Sequence, residues 1–352
     1  MRRPRYAGKN PRGFHDKYKE LDPDRYASEV QKVLASGKTP AGMHRPILVS
    51  EVLSYLSPVA GDIAVDCTLG GGGHARAILE RLLPGGHLIG LDIDPVELPR
   101  TEGRLRDAGF GPETFTARLS NFAGLPQALA AHRLARADSG LADVILADLG
   151  VSSMQLDNPD RGFSHKASGP LDMRMNPTRG MPASQLIAHL SAEQLATLLD
   201  ENADEPHAEL IAGLLKGQFD KTDRAVGEYT TTAVDTLVRA GLAAAFPRLT
   251  QERATTSVRR TFQALRIAVN DELAALDALL RVLPHCLSPG GRVAILTFHS
   301  GEDRRVKKAF QAGYRSGVYA TVADEVIRAS AEERRTNPRA SSAKLRWAIT
   351  PA

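Results

Sequence analysis

Short apolar runs closed by an acid, each followed by a stretch with helical spacing, organise the first half of the chain. Gly61–Cys67 is apolar at Ile63, Ala64 and Val65 and reaches Asp66; His87–Asp92 repeats the pattern and ends on Asp92. A third strand is expected near Glu113–Ala117, and Asp143–Asp148 forms a fourth run, again ending on an acid. Runs that are apolar at successive positions fit strands buried on both faces of a parallel sheet. Between them the spacing predicts helices at Ala75–Leu83 and from Pro95 onward, since proline suits a first helical turn. After Asp148 the strand rhythm stops, and Ser184–Leu199, Ala208–Leu215 and Thr231–Ala245 read as helices. It resumes with one long helix from Thr261 to Leu283, a turn at Ser288–Gly291, a strand at Arg292–Phe298 and a last strand at Leu345–Ile349.

Strands alternating with helices imply an α/β fold, a doubly wound parallel sheet with right-handed crossovers, whose ligand lies beyond the carboxyl ends of the strands. The expected organisation is a sheet domain over 44–156 and 258–352, an inserted, mainly helical domain over 157–257, and a basic extension over 1–43 holding one short helix near Arg25–Leu34. No repeat of 20–50 residues is present.

Composition narrows the class. The 352 residues are 42% apolar and 24% charged, ordinary globular usage that excludes collagen-like, mucin-like and wholly disordered chains. Two cysteines make neither a disulfide framework nor a Cys-rich zinc site, and no long uncharged apolar window or leader pattern occurs. The expectation is a cytoplasmic protein that meets no membrane. The net charge of +4 is unevenly spread: residues 1–20 carry seven Lys/Arg against two acids, residues 301–352 carry eleven against six, and the middle is net acidic. Basic ends suggest a polyanionic partner such as nucleic acid, against the plainer reading of solvated charged faces.

The loop Asp66–His74 joins the first strand to the first helix through Gly70-Gly71-Gly72-Gly73. Four residues without β-carbons let backbone pass against a ligand at a helix N-terminus, where a plain glycine turn is the alternative. Asp92, about 20 residues beyond at the end of the next strand, is where an acid accepts hydrogen bonds from a ribose, so the pair reads as an adenosine site. NAD and S-adenosylmethionine both suit this architecture, and Ala75 falls where only some NAD fingerprints allow it. Gly37-Lys38-Thr39 lacks the earlier glycine of a P-loop, having Lys32 there. Asp66 favours S-adenosylmethionine, because a carboxylate there suits a methionyl ammonium.

The turn Asp148–Asp157 is polar and leaves the fourth strand at the same sheet edge. Methyl transfer from sulfur is an in-line displacement that needs alignment and an acceptor for the protons of an attacking amine. Asp148 and the carbonyls of Leu149 or Gly150 fit that part, with Asp172 a weaker candidate and helix capping the plain alternative for Asp148. His299 leaves the returning strand at this edge, where a structural role is the commoner fate of a histidine. No ligand spacing for a metal is found, and the Gly- and Pro-rich segment Asn158–Met175 reads as a substrate-facing wall.

Taken together, His44–Leu48, Asp66–His74, Asp148–Gln155, Arg161–Ser164, Gly169–Met175, Thr261–Glu272, Phe298–Arg304, Asn337–Arg339 and Ser342–Arg346 closely resemble the bacterial small-subunit rRNA (cytosine-N4)-methyltransferase family. The resemblance spans His44 to Trp347. It implies a class I S-adenosylmethionine-dependent methyltransferase with a Rossmann-like sheet and an inserted helical domain, acting on the exocyclic amine of a decoding-region cytosine in 16S rRNA. That base would be unstacked into a pocket between the sheet edge and the insertion. By the same resemblance the cofactor contacts fall on Gly72, Gly73, His74, Asp92, Phe122, Asp148 and Gln155. The partner implied is 16S rRNA or the small ribosomal subunit, and a homodimer is allowed. Arg253–Arg260 replaces the usual His-Pro stretch, Gly301 a usual Leu and Met154 a usual Pro, and the extension 1–43 is additional. These departures spare the cofactor residues, so a relative acting on another RNA position or another amine is the first alternative. A non-catalytic RNA-binding assembly factor is the second, and a dehydrogenase the third.

Overall fold

The computed structural model describes residues 46–136, 141–221 and 229–352; the basic extension with its expected helix, and His44 and Arg45, lie outside them. Two units divide the chain: Pro46–Val151 with Met175–Gly180 and Ile267–Ala352, and Ser152–Arg174 with Met181–Arg266. In chain order the helices are α1 (Val49–Leu56), α2 (Gly73–Leu82), α3 (Glu97–Asp107), α4 (Leu125–Arg136), α5 (Ser153–Asp157), α6 (Ala183–His189) and α7 (Ala192–Ala203). They continue as α8 (Ala208–Lys221), α9 (Thr231–Ala245), α10 (Gln251–Asn270), α11 (Glu272–Cys286), α12 (Ser300–Arg315) and α13 (Ala331–Thr336). No described helix is long and apolar enough to cross a membrane.

The first unit is built on seven strands, β1 (Ile63–Asp66), β2 (His87–Asp92), β3 (Phe115–Leu119), β4 (Ala142–Asp148), β5 (Leu287–Thr297), β6 (Thr321–Val322) and β7 (Lys344–Ile349), in the order β3-β2-β1-β4-β5-β7-β6. Five of them run parallel, as the apolar runs predict, but β7 is antiparallel to β5 and β6 antiparallel to β7. The all-parallel expectation fails at this edge because no helix recrosses the sheet between β6 and β7, and parallel neighbours require such a crossover. The expected turn at Ser288–Gly291 is absorbed into the start of β5, where the register against β4 slips between Ala142 and Val144.

Side chains alternate between two cores. On β4, Val144 and Leu146 join one apolar cluster and Ile145 and Ala147 the other; on β5, Ala294 and Leu296 oppose Val293 and Ile295 in the same way. One face packs Leu53 and Leu56 of α1 with Ile78, Leu79 and Leu82 of α2. The other packs Leu125 and Leu129 of α4 with Leu276, Leu279 and Leu283 of α11 and Phe310 of α12. The strands are thus covered on both faces, and only their carboxyl ends and loops remain for chemistry. Cys67 and Cys286 are free and buried in this second core, where desolvation pushes the Cys286 thiol up to about 11.

Motifs far apart in the sequence meet in this unit. Asp303 accepts from Lys344 Nζ at 3.0 Å and Arg346 Nε at 2.6 Å; burial alone would raise its pKa, but these two cations hold it below the usual carboxylate value. Leu48, in a left-handed conformation (φ 55°), donates its N–H to Glu333 Oε1 at 2.9 Å, and Tyr55 stacks on Trp347 with ring centroids 5.1 Å apart.

The second unit is helical among its described residues, apart from an isolated bridge between Pro170 and Thr230. Its core is set by residues four apart, as with Val234, Val238 and Leu242 on α9 or Leu195 and Leu199 on α7. The single helix expected over Ser184–Leu199 is two. Ser191 Oγ accepts the Gln194 N–H (3.1 Å) while Gln194 Oε1 accepts the Ser191 N–H (2.9 Å), a capping box that starts α7 afresh. The long helix expected from Thr261 to Leu283 is likewise broken between α10 and α11 at Asp271, in a left-handed conformation (φ 51°) that Asp tolerates better than most residues.

Candidate functional site

The carboxyl ends of β1, β2 and β4 converge on the glycine loop. Gly70 donates its N–H to Asp92 Oδ2 at 2.7 Å, so the acid ending β2 pins the loop leaving β1. Thr101 Oγ1 on α3 donates to the Gly70 carbonyl at 2.5 Å, and Arg104 Nη2 donates to Thr101 Oγ1 at 2.6 Å. Thr68 Oγ1 accepts the Asp148 N–H at 2.6 Å and ties the loop to the end of β4. Sequence reasoning misses Thr68, Thr101 and Arg104; the only hint is that Thr101 lies on the apolar face of α3 with Leu98 and Leu105.

Two glycines here are dictated by geometry. Gly72, the residue before α2, has φ 77°, and a β-carbon on it would lie 2.8 Å from Thr101 Cγ2. A β-carbon on Gly73 would lie 2.9 Å from Pro46 Cγ, which brings Pro46 onto the loop. Gly72→Ala should therefore lower stability by about 1–2 kcal/mol from the left-handed backbone alone, with the Thr101 contact adding to it. A shift of the urea midpoint at constant slope measures this, and an unchanged midpoint would contradict the loop geometry.

Acids dominate the electrostatics of this edge. Asp66 is buried, accepts the Thr68 N–H at 3.0 Å, and is raised to about 6 by desolvation. Asp92 is raised to about 6, chiefly by burial, although Gly70 and Asp94 donate backbone N–H groups to it. Asp148 is raised to about 7 by burial and then by the negative charge of Glu302. Its Oδ1 is buried without a partner among the described residues, and its Oδ2 lies 3.5 Å from His74 Nδ1. None of the three acids pairs with a Lys or Arg among the described residues. Such a pocket is short of positive charge. A sulfonium or ammonium ligand supplies what it lacks, whereas a pyrophosphate would add repulsion. S-adenosylmethionine therefore fits the residues present, and a nicotinamide dinucleotide does not.

The remaining expected residues separate into two groups. Phe122 opens a short 3₁₀ turn after β3 and packs half-buried on the second core; the Ser120 N–H bond to the Asp92 carbonyl (2.8 Å) holds that turn beside the end of β2. His299 begins α12, its Nε2 3.2 Å from Glu302 Oε1, and Glu302 Oε2 accepts the Phe298 N–H at 2.8 Å. At Gly301 a β-carbon would lie 3.1 Å from His299 Nδ1, so the glycine in place of the usual Leu keeps that ring uncrowded. Gln155 and Asp172 belong to the helical unit. Gln155 Oε1 accepts the Ser152 N–H (2.9 Å) in a capping box at α5. Asp172 is gripped by Arg174, with Nε to Oδ1 at 2.8 Å and Nη2 to Oδ2 at 2.7 Å. Among the described residues no group of three His, Cys, Asp or Glu side chains is arranged to hold a metal.

Comparison with known proteins agrees with this geometry. The profile of the MraW methylase family matches residues 41–350. Ribosomal RNA small subunit methyltransferase H 2 of Alkaliphilus metalliredigens is 47% identical over 349 residues, covering 99% of this chain and 97% of its own. Ribosomal RNA small subunit methyltransferase H 1 of Lachnoclostridium phytofermentans is 46% identical over 348 residues, with 99% and 92% covered. Ribosomal RNA small subunit methyltransferase H of Sorangium cellulosum is 42% identical over 305 residues, with 87% and 90% covered. Coverage of 99% takes in the basic extension, so 1–43 is shared with the first two relatives, which corrects its reading as an addition. The fold is that of class I S-adenosylmethionine-dependent methyltransferases, and on the full-length match the chain belongs to the MraW methylase family.

Proposed function

We propose that this enzyme methylates the exocyclic N4 amine of a cytosine in the decoding region of 16S rRNA, using S-adenosylmethionine. The observation that carries the cofactor half is the cluster Asp66, Asp92 and Asp148 beside the glycine loop, with no Lys or Arg paired to it among the described residues. The acceptor half rests on family membership. When bound, S-adenosylmethionine supplies one electrophilic methyl carbon, and the electrons of its carbon–sulfur bond stay on sulfur as the nitrogen–carbon bond forms.

The chain's own residues hold, orient and accept a proton. Asp66 would hold the methionyl ammonium, Asp92 would accept from the ribose hydroxyls, and the first-turn N–H groups of α2 at Gly73 and His74 would complete the cradle. Phe122 would border the adenine, since an aromatic ring stacks on a flat base. Gln155 acts by capping α5 and so fixing the turn that follows β4. The amine's lone pair is delocalised into the cytosine ring, so attack requires loss of planarity and of a proton. Asp148 takes that proton at its unpartnered Oδ1; Asp172, already engaged by Arg174, is the weaker acceptor. A base inside a folded RNA must be unstacked to reach such an edge, and the helical unit is the recognition surface in this reading. The site of action is the cytoplasm.

The test is methylation of small subunits, and of their naked rRNA, from cells lacking this gene, with a labelled methyl donor and mass spectrometry of the nucleosides. N4-methylcytosine at one position is expected. Label in protein alone, or on a ring carbon, would overturn the proposal.

A further inference from the structure

The sequence offers His74 as a cofactor contact; its side chain lies between the Ile47 carbonyl and Asp148. The ring is buried, and Nε2 lies 2.9 Å from the carbonyl oxygen of Ile47. A carbonyl only accepts, so Nε2 carries the ring hydrogen and Nδ1 of the neutral ring is a bare lone pair. That lone pair faces Asp148 Oδ2 at 3.5 Å, a separation of the kind that tightens when a reacting complex forms. Two acceptors facing each other at this part-buried edge repel unless one proton lies between them. The surroundings push the same way: Asp66 from β1, Glu302 from α12 and Glu333 from α13 bring further negative charge to one or other member of the pair, and Asp92 adds to Asp66.

We propose that His74 is a positioning residue that shares one proton with Asp148, so that the pair, rather than Asp148 alone, accepts the proton released by the attacked amine. Its part in catalysis rests on the methyl-transfer reading above; the shared proton does not. In the active form the pair holds no proton. As the nitrogen–carbon bond forms, the amine's N–H electrons stay on nitrogen and the proton passes to the Asp148 carboxylate, whose Oδ2 faces Nδ1. It is then held between the carboxyl group and Nδ1 until it leaves to solvent with the products. Partial burial raises Asp148 while desolvation lowers His74, so the two bring their proton affinities toward each other, the condition for sharing.

Each member raises the proton affinity of the other, which gives the test its sign. His74→Gln keeps an amide N–H for the Ile47 carbonyl but removes the ring base, so it should move the ascending limb of the kcat–pH profile to lower pH by about one unit, a tenfold change in proton affinity. A structural role would lower the plateau and leave the limb in place, and that result would overturn the proposal. On the full chain without any ligand, ¹⁵N NMR of labelled histidine should show His74 as the Nε2–H tautomer at high pH. Its titration should move to lower pH in Asp148→Asn. An Nδ1–H tautomer, or a titration indifferent to Asp148, would overturn the sharing. The NMR outcome stands whatever RNA the enzyme acts on, so the pair and the methyl-transfer reading fail separately.

Discussion

Asp148→Asn should lower kcat for RNA methylation by about 10²–10⁴-fold, the usual contribution of a positioned general base, with little change in the dissociation constant for S-adenosylmethionine. The side chain ends β4 at the active edge, and Oδ1 is buried with no partner among the described residues. Asparagine is nearly isosteric and keeps an acceptor oxygen, but it takes up no proton in the working pH range. The backbone bond from the Asp148 N–H to Thr68 Oγ1 does not involve the side chain and persists in the variant. A loss confined to kcat, seen in single-turnover rates with calorimetric affinity held, is therefore the expected signature. Loss of affinity with an unchanged chemical step would mean that Asp148 is a binding group only. Wild-type activity should rise with pH through about 7, because burial and Glu302 keep the carboxyl protonated below that point. The sign follows from the role: a base raised in pKa is inactive until the proton leaves.

Asp92→Ala should weaken S-adenosylmethionine binding by about 10–100-fold, since hydrogen bonds to a charged group contribute roughly 1.5–3 kcal/mol. Its two oxygens accept from Gly70 and Asp94 in the protein alone, which leaves further lone pairs for ribose hydroxyls. The loss then has two sources, the missing ligand bonds and a glycine loop no longer pinned to β2. Asp92→Asn keeps one acceptor oxygen and should fall between wild type and alanine in isothermal titration calorimetry. Equal affinity in all three proteins would mean that the end of β2 is not part of the cofactor site.

The amino-acid sequence by itself determined every strand but the two-residue β6, the glycine loop and the acids at strand ends. Strand burial writes itself as unbroken apolar runs, and a ligand passing against backbone demands glycine. The break at Asp271 and the restart at Ser191 were less legible, because hydrophobic periodicity continues through a cap and the cap depends on local hydrogen bonds. Only the tertiary structure decided that β7 runs against β5, since direction depends on the route of the connection and not on the strand's own residues. Likewise, only the tertiary structure showed that Thr68, Thr101 and Arg104 hold the loop, or that His74 turns its bare nitrogen to Asp148. Asp148 follows His74 by 74 positions, and the desolvation that sets its proton affinity exists only once β1, β4 and β5 close around it. Local pattern fixes what one element is; the proton affinity of a buried acid belongs to everything packed against it.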